Sequence, residues 1–174
     1  DGDFAPWVGA LIKDVKQPIL LVAPTGKEEE VITRLARVGF DHTLGYLEGS
    51  FEAWKKAAKE YDTLTSISPK EFVDTFKEQK DLKLFDVRKA SEYNAEHIIG
   101  AENTPLDYLN DHLSEFPTGE TIYLHCQGGY RSIIAASILK SRGYHNLIEV
   151  REGFKVLKQM DLPLTDYVCP TTLL

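Results

Sequence analysis

The sequence predicts an α/β fold, a parallel sheet with helices on both faces. Two observations predict it. Short apolar runs alternate with helical patterns over residues 63–168, the order that builds parallel sheets covered on both sides. Two of those runs also end in chemically active residues, Asp86 and Cys126, and ligands of such sheets sit beyond the carboxyl ends of the strands. Asp86 and Cys126 are therefore expected at one sheet edge.

The elements follow in order. Ser68 is placed as a helix N-cap, with Pro69 at the first helical position and Phe72, Val73 and Phe76 forming one apolar face. Leu82 to Phe85 reads as a strand ending at Asp86, and Ala90 to Glu96 as a helix. Ile98 to Ala101 reads as a short strand or extended turn. Leu106 to Leu113 reads as a helix closed off by Pro117 and Gly119. Thr121 to Leu124 leads as a strand into Cys126. Ser132 to Arg142 is a helix with Gly143 just past its end. Leu147 to Val150 is a strand, and Gly153 to Met160 the last helix.

The stretch Tyr123-Leu124-His125-Cys126-Gln127-Gly128-Gly129-Tyr130-Arg131-Ser132 carries the chemistry. A thiol stands at the mouth of a strand–loop–helix unit. Such a loop can aim backbone N–H groups at one point, and the following helix adds its positive end. A thiolate held there is expected to be nucleophilic near neutral pH. Arg131 follows Cys126 at the spacing Cys-x-x-x-x-Arg, one residue shorter than in cysteine phosphatases and arsenate reductases of related shape. The longer loop fits a tetrahedral oxyanion; the shorter one fits a single extra sulfur on the cysteine.

Bulk properties narrow the class. A net charge of −7 over 174 residues argues against a general nucleic-acid surface. No apolar stretch approaches the length of a membrane span. The two cysteines, Cys126 and Cys169, form no disulfide framework and suit a reducing cytoplasm. His42, His97, His112, His125 and His145 show no metal-ligand spacing, so neither a metal nor another cofactor is expected.

The chain also repeats itself. Arg34-Leu35-Ala36-Arg37-Val38-Gly39-Phe40 matches Ile138-Leu139-Lys140-Ser141-Arg142-Gly143-Tyr144, and Tyr46 to Phe51 matches Val150 to Phe154. Gly39 and Gly143 are 104 positions apart, as are Gly49 and Gly153. At that offset Cys126 falls on Val22, or on Ala23 with one gap, so the first copy has no thiol. It also lacks a front half. Residues 1–62 are read as a truncated, catalytically inactive repeat with a raw sheet edge, 63–168 as the active domain, and 169–174 as a tail. The missing strands imply a fragment of a longer polypeptide, and they leave homodimerisation open.

Residues 63–168 resemble a rhodanese (sulfurtransferase) domain. The resemblance rests on three ordered motifs: Phe85-Asp86-Val87-Arg88 through Pro105-Leu106, the loop His125 to Ser132, and Gly143-Tyr144-His145-Asn146-Leu147 with Gly153-Phe154. Glu152 stands where the family usually has a second glycine, a departure expected to touch packing rather than the thiol. The inactive repeat, with Phe4-Ala5-Pro6-Trp7 before it, is similar to the C-terminal region of fusions whose N-terminal part is a metallo-β-lactamase-fold persulfide dioxygenase. That implies a metal site only in a domain outside this chain.

The resemblance implies a two-step transfer through a Cys126 persulfide. Sulfur would come from a persulfide, polysulfide or thiosulfate and pass to a thiol, cyanide or sulfite. Gln127, Gly128, Gly129, Tyr130 and Arg131 form the active-site loop, whose N–H groups would hold thiolate and persulfide. Arg131 is assigned to stabilising the loop, with a contact to the sulfur donor left open. Asp86 and Arg88 brace the pocket, His125 is structural rather than a base, and Glu92 is placed to pair with Arg88. Because Gln127 to Tyr130 carry no charge, persulfides are expected to be better donors than thiosulfate, a dianion. The alternatives are a phosphatase or arsenate reductase on the same fold, and a non-catalytic docking module of a larger sulfide-metabolising enzyme.

Overall fold

A computed structural model describes residues 4–79 and 81–169. The last residues of the expected tail lie outside these. The chain separates into two compact units, Asp1–Asp62 and Thr63–Leu174.

The first unit runs α1 (Phe4–Leu11), β1 (Ile19–Leu21), α2 (Glu28–Ala36), β2 (Thr43–Tyr46) and α3 (Ser50–Lys56). Its sheet has two parallel strands, β1 and β2. Three glutamates open α2, where the helix dipole favours them. Leu35, Phe40 and Ala23 make a small core, while Leu20, Val22, Leu44 and Tyr46 are exposed.

The second unit contains β3 (Thr65–Ile67), α4 (Pro69–Glu78), β4 (Lys83–Asp86), α5 (Ala90–Ala95), β5 (Glu102–Asn103), two 3-10 segments (Leu106–Asp111 and Leu113–Glu115), β6 (Ile122–His125), α6 (Tyr130–Ser141), β7 (Leu147–Val150) and α7 (Phe154–Leu157). The five strands are parallel in the order β3-β7-β6-β4-β5. β6, which carries the cysteine, is the central strand. All four of its residues are buried, as expected of a parallel strand covered on both faces.

Alternation along the strands divides the core. Leu84 and Tyr123, opposite in register, pack with Phe72 of α4 and with Phe154 and Leu157 of α7. Phe85 and Leu124 point the other way. There Phe85 stacks on Phe116 at 4.4 Å, and α6 buries Ala135 and Leu139. Ser68 begins α4 with a full capping box: Glu71 N–H donates to Ser68 Oγ, and Ser68 N–H donates to the Glu71 carboxylate.

Three expected elements differ in detail, and a fourth, Ile98 to Ala101, takes the turn rather than the strand of its two expected forms. The helix expected over Leu106 to Leu113 is 3-10 and is interrupted at His112, whose φ of −117° departs from helical geometry. Ile98 to Ala101 is a turn, held by a single antiparallel bridge between Ile98 and Leu164. α7 is four residues long rather than eight. α6 starts at Tyr130, not Ser132, because Gly129 at φ 94° ends the loop and caps the helix. Tyr130 and Arg131 thus belong to the first helical turn. The edge strand β3 was not signalled by the sequence, which offers three half-polar residues there.

Candidate active site

The site is built at the carboxyl ends of β4 and β6. Register places Asp86 directly beside His125, one residue before the thiol. Cys126 is 1% exposed. Its Sγ accepts a hydrogen bond from Gly129 N–H at 3.1 Å, and Ser132 Oγ lies 3.7 Å away. The loop therefore curls around its own thiol.

The turn between β7 and α7 fixes that curl. Phe154 N–H donates to the Cys126 carbonyl at 2.7 Å, and Lys155 N–H to the Gln127 carbonyl at 3.0 Å. Both carbonyls are thereby tied to the start of α7. The close approach requires glycine: a Cβ on Gly153 would stand 2.2 Å from the Cys126 carbonyl oxygen. Glu152, the departure from the family pattern, sits at φ 62° in the left-handed region. Its backbone N is 3.5 Å from where a Gly129 side chain would begin, so this position also borders the loop.

Two guanidinium groups flank the site, and both are paired. Arg88 is buried and grips Asp86 through Nε at 2.8 Å and Nη2 at 2.6 Å. It also donates to the Glu96 carbonyl at 2.9 Å and lies over the Phe154 ring at 3.9 Å. Its remaining arm reaches Gln127 Oε1 at 3.5 Å. Arg88 thus links Asp86 to the loop residue Gln127. Glu92 does not pair with Arg88. It pairs with Arg131, through Nη1 at 2.5 Å and Nη2 at 2.9 Å. Arg88 is already saturated by Asp86, two residues away, which leaves Glu92 to the cation arriving on α6. Partial burial pushes Glu92 up, but the Arg131 bond and charge outweigh it, and its carboxyl titrates below the usual range. The Glu92 bond holds the Arg131 proton more firmly than usual.

His125 is fully buried. Burial lowers its pKa, Asp86 opposes this, and the net shift is downward. Its Nε2 has no hydrogen-bond partner among the described residues and lies 3.8 Å from Asp86 Oδ2. This geometry suits a neutral core imidazole. Tyr130 is exposed, on the first turn of α6.

Glu149 was missed by sequence reasoning. This β7 residue is 1% exposed, and its Oε1 accepts from Ser132 Oγ at 3.0 Å. Ser132 also lies 2.9 Å from the Gly129 carbonyl. Glu149 thereby anchors the serine nearest the thiol. An acid inside the otherwise apolar run Leu147 to Val150 was the available signal.

A thiol at the end of a central parallel strand, ringed by a glycine loop and a helix start, defines a cysteine-centred α/β domain. A family model described as Rhodanese-like domain matches residues 68–160, and the chain belongs to that family. Among curated relatives, an uncharacterized protein, YqhL of Bacillus subtilis, is 38% identical over 42% of this chain and 58% of its own length. A putative sulfur carrier protein, YrkF of the same organism, is 26% identical over 75% of this chain and 63% of its own. A sulfurtransferase of Allochromatium vinosum is 27% identical over 49% of this chain and 79% of its own. The chain thus spans about six-tenths of the first two. The crystal structure of a rhodanese-like domain protein from Staphylococcus aureus superposes with a TM-score of 0.54 at 28% identity, covering 60% of this chain and all of that one. Among the described residues, no helix is long and apolar enough to cross a membrane, and no cluster of potential metal ligands occurs.

Two outcomes follow. Gly153→Ala is expected to destabilise by about 2–3 kcal/mol through the forced clash, whereas Glu152→Gly, which relieves a left-handed residue, is expected to be neutral or to stabilise by up to about 1 kcal/mol; urea midpoints of both variants test the contrast. His125 binds protons less readily folded than unfolded, so its contribution to stability is complete above its ordinary value of 6.5 and is lost as the pH falls below it. Unfolding midpoints between pH 8 and pH 5 should show that decline, and His125→Gln should flatten it.

Proposed function

We propose that this chain is a sulfurtransferase that carries sulfane sulfur as a Cys126 persulfide. The observation that carries the reading is the loop: Sγ faces the Gly129 N–H while the Cys126 and Gln127 carbonyls are bonded outward to α7. A backbone N–H donor at Sγ, beside the start of a helix, suits a thiolate and a terminal persulfide sulfur alike.

The chemistry is a pair of displacements. Cys126 thiolate attacks the outer sulfur of a persulfide R–S–SH. A new S–S bond forms at Sγ, the donor S–S bond breaks, and R–S⁻ leaves with the electron pair. A thiol, cyanide or sulfite acceptor then takes the outer sulfur, and Sγ leaves as thiolate. Splitting the transfer in two is the general advantage of covalent catalysis. A phosphatase reading is less well supported. The loop is one residue shorter than a tetrahedral anion needs, and the Arg131 fork is already occupied by a carboxylate.

The proposal extends to the first unit, which we read as a truncated, inactive copy of the second. Supporting this, the order β1-α2-β2-α3 repeats the order β6-α6-β7-α7, and β2 and β7 are 104 positions apart at both ends. The helix ends repeat as well: Phe40 N–H bonds to the Leu35 carbonyl and Tyr144 N–H to the Leu139 carbonyl, with Gly39 and Gly143 at φ 90° and 93°. On the resemblance to persulfide dioxygenase fusions, a metallo-β-lactamase-fold domain would be its partner, in a reducing cytoplasm.

Intact mass after incubation with glutathione persulfide tests the central reading. The account expects a gain of one sulfur atom, reversed by cyanide and abolished in Cys126→Ser. No adduct under reducing conditions, or an adduct that survives Cys126→Ser, would overturn it.

A further inference from the structure

We propose that Glu92 is a specificity-determining residue: by neutralising Arg131 it turns the site away from dianionic sulfur donors and toward those with a single negative charge. The inference rests on the sulfurtransferase reading above and adds the substrate class.

The charges around the thiol carry the argument. Gln127, Gly128, Gly129 and Tyr130 are uncharged. Arg88 is committed to Asp86. Arg131 stands on the first turn of α6, five residues after Cys126, and the thiol is among the groups that act on it electrostatically. It is therefore the cation placed to meet an anion arriving at Sγ. Glu92 occupies both of its forward arms, and Glu92 is itself held by Lys89 N–H at 3.2 Å. The carboxylate is thus fixed from two sides and does not swing away at little cost. The Asp86–Arg88 and Glu92–Arg131 pairs each cancel, so neither guanidinium adds uncompensated positive charge at the mouth. A donor bearing two charges next to its reacting sulfur meets the thiolate without compensation; a donor bearing one meets about half that repulsion.

Two small donors isolate the charge. In each, Cys126 thiolate attacks the sulfane sulfur, the donor S–S bond breaks, and the oxidised sulfur leaves with the pair. Thiosulfate, a dianion, releases sulfite; the methanethiosulfonate anion, a monoanion, releases methanesulfinate. The measurement is the second-order rate of Cys126 persulfide formation from each, followed by intact mass. In Glu92→Gln the ratio of the thiosulfate rate to the methanethiosulfonate rate should rise by roughly tenfold, the effect of one uncovered cation on one extra charge in a partly exposed site. The rise should shrink with added salt. Glu92→Asp should return the ratio toward that of the unaltered chain, and Glu92→Gln combined with Arg131→Gln should abolish the rise. A merely structural role would slow both donors together and leave the ratio alone. A ratio within about twofold of the unaltered chain in Glu92→Gln, or a rise that persists in the double variant, overturns the inference. Persulfide formation from neither donor nor from glutathione persulfide would instead overturn the sulfurtransferase reading, and this inference with it.

Discussion

Two backbone hydrogen bonds decide what this site can do. Phe154 and Lys155, at the start of α7, pull the Cys126 and Gln127 carbonyls toward themselves. A peptide unit is planar, so turning its carbonyl one way turns the next N–H the other. The Gly129 N–H is left on Sγ, and the Cys126 and Gln127 carbonyls are satisfied by α7. The β7–α7 turn must come within van der Waals contact of the cysteine backbone to do this, which explains Gly153 at φ 56° with no room for a side chain. The geometry of the cysteine loop and closure of the sheet are therefore a single construction. A defect in the last helix is a defect in the loop that holds Cys126.

Around that loop stand three polar pairs, two buried and the Glu92–Arg131 pair partly so. Asp86 holds Arg88, Glu92 holds Arg131, and Glu149 holds Ser132. Burying a lone charge is costly, and breaking one of these pairs would strand its partner. The pairing has a chemical consequence as well. Each guanidinium is neutralised by a carboxylate, so neither presents uncompensated positive charge beside the loop.

Much of this was legible because it is local. The cysteine at the end of an apolar run, Gly143 just past the end of α6 and the Ser68–Pro69 helix start are written within a few residues of where they act. The Glu92–Arg131 fork was not, since its partners are 39 residues apart and the nearer candidate, Arg88, was taken by Asp86. Glu149 was hidden in an apolar strand, where only the packed structure brings it to Ser132. The 3-10 geometry after Leu106 and the shortness of α7 reflect tertiary packing that helical periodicity does not encode. In the first unit the strand–helix order was readable, whereas the exposure of Leu20 and Leu44 follows from a sheet of only two strands.

The account stands on the inward-facing loop, and a crystal structure of the chain after reaction with glutathione persulfide examines it directly. It predicts one added sulfur on Cys126 Sγ at about 2.05 Å, within hydrogen-bond reach of the loop N–H groups, with the Phe154 and Lys155 bonds to the loop carbonyls intact. A reacted loop whose carbonyls face the added sulfur, or one in which α7 has released it, would contradict the account.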